Sequence, residues 1–162
     1  MGHVGQTMRA EMEGDPPRVD RATLESLAEA VYEARAADPA GRFERDSARG
    51  IARGQGVEVD TSDRLPDGVD GLAVLRWMLI IIRGSRDGAT TALRILHELA
   101  HLVLEQLGWR HSHADVWYLA LAMAAPRSLL ARQPPANCNA LDLAAAARIP
   151  AWAAAARLDM AA

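Results

Sequence analysis

Apolar residues recur at helical spacing along most of the chain. From Asp20, a capping residue, RATLESLAEAVYEARAA places Leu24, Leu27, Ala28, Val31 and Ala34 three or four apart, which predicts an amphipathic first helix. Asp38, Pro39 and Gly41 stop it, and FERDSARGIARGQG predicts a second, weaker helix carrying Phe43, Ala48 and Ile51 before two glycines. Residues 57–59 suggest a short strand, and 61–71, TSDRLPDGVDG, read as a loop. The run at 72–84, LAVLRWMLIIIRG, is rich in β-branched and large apolar residues and predicts one buried strand.

The next segment, 89–108, is apolar nearly all round. Leu93, Ile95, Leu96, Leu99, Ala100, Leu102, Val103, Leu104 and Leu107 leave little polar face, so it reads as a helix inside the domain. Gly108 closes it, and a further helix starts at Ser112. The short link between the two predicts an antiparallel pair. After a polar break at 132–139, LDLAAAARIPAWAAAARLDM predicts two short alanine-rich helices divided at Ile149 and Pro150. Residues 1–18 read as a flexible lead and 19–162 as a single domain. The fold class expected is α+β, mostly helical, with a small sheet packed on the 89–108 helix.

Composition narrows the function classes. A net charge of -3 and a pI near 5.9 leave no global positive field to recruit nucleic acid or an anionic membrane. The longest apolar run, 116–125, is far too short to span a bilayer, and the N-terminus lacks the apolar core of a secretory signal. Cys138, the only cysteine, excludes an intrachain disulfide. The expected location is cytoplasmic.

Within the buried helix stands His97-Glu98-Leu99-Ala100-His101, an HExxH arrangement. Residues four apart share a helix face, so both imidazoles can grip one Zn2+ while Glu98 takes a proton from water. With five histidines and nine glutamates in 162 residues, random order yields this motif in roughly one per cent of shuffles, so it is informative on its own. Burying two histidines and a glutamate on adjacent turns also costs free energy unless they have partners.

Catalytic zinc takes three protein ligands plus water. Glu105 lies another turn on and reads as solvated or capping. If the helix pair folds back about Trp109 and Arg110, register favours Asp115 as third ligand, then His113, with His111 further away. Ser112-His113-Ala114-Asp115 also fits a capping box, in which the aspartate reaches back to the helix start. Tyr118 shares the face of Asp115, where its hydroxyl either meets a developing oxyanion or simply packs. A metzincin is excluded, because Leu104 and Leu107 stand where that pattern needs glycine and a third histidine.

On these residues the chain resembles the ImmA/IrrE family of zinc metallo-endopeptidases. The run from Leu93 to His101 is similar to the family's Phe-Thr-x-x-His-Glu-(Leu/Ile)-Gly-His. His113-Ala114-Asp115-Val116-Trp117-Tyr118-Leu119-Ala120, with Pro126 after it, is similar to Glu-x-Glu-Ala-Asn-x-Phe-Ala leading to Leu-Leu-Met-Pro. Ala100 departs from the usual glycine, and His113 and Asp115 stand where the family has glutamates. The resemblance implies a zincin-like domain and an endopeptidase with Glu98 as general base and zinc on His97, His101 and Asp115. It also implies a partner, a helix-turn-helix repressor as protein substrate. The alternative is a catalytically silent module that binds such a regulator without cutting it. A DNA-binding regulator built on the last two helices is disfavoured, since Arg148 and Arg157 are the only basic residues there.

Overall fold

Free N–H groups at a helix start need acceptors, and short polar side chains supply them at five of the seven helices in the computed structural model, which describes residues 17–85, 87–132 and 139–162. Asp20 accepts from Thr23 at the head of α1 (Arg21–Glu33), and Ser47 accepts from Gly50 at α2 (Ala48–Gly54). Asp87 accepts from Ala89 and Thr90 at α3 (Gly88–Gln106), and Ser112 caps α4 (His113–Ala124). Asn139 caps α6 (Ala140–Ala147). The other two, α5 (Arg127–Leu130) and α7 (Ala151–Ala161), follow Pro126 and Pro150, whose fixed φ suits a helix entry.

Helix α4 is the centre of the packing. Val116, Leu119, Ala120, Ala122 and Met123 are fully buried, and the helix packs against α1, α3 and α7. Alanines on several faces let three neighbours approach closely, while Leu119 and Met123 fill the space between them. Leu96, Leu99, Leu102 and Leu104 of α3 and Leu24, Ala28 and Val31 of α1 complete the core.

A small mixed sheet lies on the other side of α3. Its strands are β1 (Glu58–Thr61), β2 (Gly71–Val74) and β3 (Leu79–Ile82), in the order β1-β3-β2. β1 runs parallel to β3, and β2 antiparallel to it, with Gly71 opposite Ile82. The observed class is α+β and mostly helical, with 55% of the described residues in helices.

The expected single strand over 72–84 is corrected. It is two strands joined by a one-turn 3-10 helix, Leu75–Trp77, and by Met78 in the left-handed conformation at φ 48°. Thirteen extended residues would run about 40 Å, too far for a domain of this size. Arg76 breaks the apolar run and is exposed together with Trp77. Of the expected lead, residues 1–16 lie outside the described residues. Position 17 is already tied down, because the Arg110 N–H donates to the Pro17 carbonyl.

One buried polar cluster holds the last helix to the first. The Arg157 side chain is fully buried. It donates from both terminal nitrogens to the two carboxylate oxygens of Glu25, at 2.7 and 2.8 Å, and from Nε to the Ala125 carbonyl. The Tyr118 hydroxyl donates to the same carboxylate at 2.7 Å. Burial alone would raise the Glu25 carboxyl, but the bonds from Arg157 and Tyr118, with the charges of Arg157 and Arg127, outweigh it and hold the group below its ordinary range.

Candidate metal centre

Helical periodicity brings His97 and His101 to one face of α3, their ring centroids 4.9 Å apart. The turn after Gly108, at φ 66°, reverses the chain so that the first residue of α4, His113, faces them. Its ring lies 5.0 Å from that of His97 and 5.7 Å from that of His101. One ligating atom from each of the three histidines lies within 4.8 Å of the others.

The donor set suits a zinc ion. Nε2 of His97 is buried and has no hydrogen-bond partner among the described residues. Its other nitrogen, Nδ1, lies 3.3 Å from Oε1 of Glu98. A carboxylate there accepts from Nδ1–H, which leaves the lone pair on Nε2, the tautomer a metal needs. Burial, and after it the charge of His97, holds His101 below the ordinary imidazole range and so keeps it neutral to lower pH. Zinc at about 2.0–2.1 Å from each nitrogen sets ligand atoms about 3.4 Å apart, so small side-chain rotations close the group.

Asp115 is not part of this group. Its carboxylate accepts from the Ser112 N–H at 2.7 Å and the Ser112 hydroxyl at 2.8 Å, the capping-box arrangement. Where register favoured Asp115, the structure brings His113 to the pair instead, because the aspartate is drawn back to the helix start. His111 donates from Nδ1 to the Trp109 carbonyl at 2.8 Å, and Glu105 is exposed. Tyr118 is committed to Glu25 and packs as an ordinary buried tyrosine.

Two features near the histidines have no signal in local sequence. Gly71, on the sheet edge, gives the Glu98 side chain its room: a Cβ there would stand 2.8 Å from Glu98 Cγ and 2.9 Å from Oε1. A cleft of about 510 Å³ borders His97 and Glu98, with Leu93, Trp117, Pro150 and Trp152 as apolar lining and the Asp70–Arg94 ion pair as polar lining. A larger cavity, about 670 Å³, is bordered by Tyr32, Ala92 and Ala144 and by none of the histidines. The smaller cleft is therefore the one that can serve chemistry at Glu98.

No helix among the described residues is long and apolar enough to cross a membrane. Neither family models nor curated proteins match this chain.

Proposed function

We propose that the chain is a cytoplasmic zinc-dependent endopeptidase whose substrate is a helix-turn-helix transcriptional repressor. The observation that carries the reading is the convergence of three imidazoles, one with a buried, unpartnered Nε2, beside Glu98 and an open cleft. His97, His101 and His113 would hold the ion. When bound, zinc polarises the scissile carbonyl and acidifies a water. Glu98 accepts that water's proton on its carboxylate and delivers it to the departing amine, so one residue acts as base and then as acid. The cleft beside it offers an apolar wall to one substrate side chain. The repressor as substrate rests on the family resemblance.

The test uses the purified protein and, as substrate, a helix-turn-helix repressor sought in the neighbouring reading frame. Wild type is expected to carry about one zinc per chain and to cut the repressor. Glu98→Gln should keep the zinc and lose at least about a hundredfold in cleavage rate. Retained cutting by that variant would overturn the mechanism. A silent module that binds the repressor without cutting it draws on the engagement of His113 by Trp117, and absence of zinc from the wild-type protein would favour it.

The third ligand has its own check. Asp115→Ala should lower stability by about 1 kcal/mol through loss of the two bonds its carboxylate accepts from Ser112, with zinc content unchanged. His113→Ala should strip the zinc with little change in thermal stability of the zinc-free protein. Zinc loss in the aspartate variant, read by elemental analysis, would restore the register-based assignment.

A further inference from the structure

The third histidine is already engaged. Trp117, one turn further along α4, donates from its indole Nε1 to Nε2 of His113 at 3.0 Å. Its ring packs 4.4 Å from the His97 ring and 6.3 Å from the Trp152 ring, and it lines the cleft beside Glu98. A neutral imidazole has one lone pair in the ring plane and one N–H. If a metal takes Nε2, it takes the lone pair that the indole uses. If it takes Nδ1, the ring proton must sit on Nε2, and two N–H groups would then point at each other. In both cases the indole bond is lost.

We propose that Trp117 is a positioning residue that competes with the metal for His113, so that metal uptake releases the indole N–H into the cleft. The proposal rests on the metal reading given above and adds its regulation: the indole sets how tightly the site loads. No covalent step is involved; one hydrogen bond is exchanged for one coordination bond. Freed from His113, the indole N–H needs a new acceptor, and the Trp117 side chain already lines the cleft with Leu93, Pro150 and Trp152, where a carbonyl oxygen of a bound peptide can supply one. A ligand that accepts this bond frees His113 for the metal, so cleft occupancy and metal affinity reinforce each other.

The experiment is a zinc titration of the full chain labelled with 15N, following the four indole N–H resonances, with Trp117→Phe to assign the relevant one. In wild type the Trp117 indole proton should move, at one equivalent of zinc, from a hydrogen-bonded position toward that of a free indole. Phenylalanine keeps the ring contacts with His97 and Trp152 but has no N–H to compete. Trp117→Phe should therefore bind zinc about two- to tenfold more tightly, the worth of one ordinary hydrogen bond. Zinc bound with the Trp117 resonance unmoved, or with an unchanged affinity in the phenylalanine variant, overturns the competition and leaves the metal site standing. Zinc that fails to bind, or binds equally well to His97→Ala, overturns the metal site and the competition together. If the phenylalanine variant folds poorly, Trp77→Phe, Trp109→Phe and Trp152→Phe assign the Trp117 resonance by elimination, and its movement in wild type decides the matter.

Discussion

Arg157→Ala is expected to lose about 3–5 kcal/mol of stability, the usual cost of removing one partner from a buried ion pair. Against a typical total of about 5–15 kcal/mol, that brings the protein to the edge of unfolding. The cause is local. Glu25 would remain 3% exposed without the guanidinium that satisfies both its oxygens, and the Ala125 carbonyl would lose its donor. Denaturant titration at neutral pH should show a lower midpoint with an unchanged slope. The pH dependence has a definite sign. The Glu25 carboxyl lies below its ordinary value in the folded protein, so its contribution is present above the unfolded carboxylate pKa of about 4 and is lost as pH falls through the folded value. The gap between wild type and variant should therefore narrow in acid. Replacing both partners, Glu25→Met with Arg157→Met, should recover part of the loss, though Tyr118 would still lack its acceptor. A double variant no more stable than Arg157→Ala would show that packing, not charge, is what the arginine supplies.

Gly71→Ala should lower the cleavage rate about a hundredfold while zinc content and melting temperature stay near wild type. The added Cβ meets Glu98 Cγ, Oε1 and Cδ at 2.8–3.0 Å. Oε1 and Cδ lie toward the mobile end of the side chain, but Cγ sits beside the helix, so relief needs rotation about the Glu98 Cα–Cβ bond, which carries the carboxylate away. A displacement of about 1 Å in a reacting group costs a rate factor of about 10². The backbone at Gly71 tolerates alanine, since its φ is not positive and its pairing with Ile82 is ordinary antiparallel strand. A rate within twofold of wild type, measured on the same repressor as Glu98→Gln, would remove Gly71 from any part in placing the base.

The long helices were the legible part of the fold, because a capping residue marks where they start. Asp20 and Ser112 stand directly before apolar residues at helical spacing, and Gly108 follows the end of the buried helix, whereas the apolar pattern puts the start of the second helix at Phe43 and it begins only after Ser47. The hairpin at 71–82 was not legible, since Leu72, Leu79 and Ile81 are apolar although they are exposed or only half-buried, which hides the alternation in burial, and only Arg76 marks the reversal. The two α3 histidines follow from spacing alone. Choosing between His113 and Asp115 needed more than axial register. It depended on whether the aspartate was free, and the capping-box pattern around Ser112 was the signal that it was not. The Glu25–Arg157 pair spans 132 positions, and neither residue has a local pattern that points to the other. The cleft beside Glu98 draws on residues near 68–71 and 150–152, which only the tertiary fold assembles.

His97, His101 and His113 all belong to a single helical hairpin, α3 and α4 with the turn between them. The apolar wall opposite comes largely from the entry to α7, at Pro150 and Trp152. On the proposed function, partial opening at the C-terminal end would thus dismantle the surface offered to a peptide and leave the three histidines in place. In hydrogen exchange, zinc should protect amides of the hairpin far more than those of α7. Ion retention and substrate selection would then fail at different temperatures on heating.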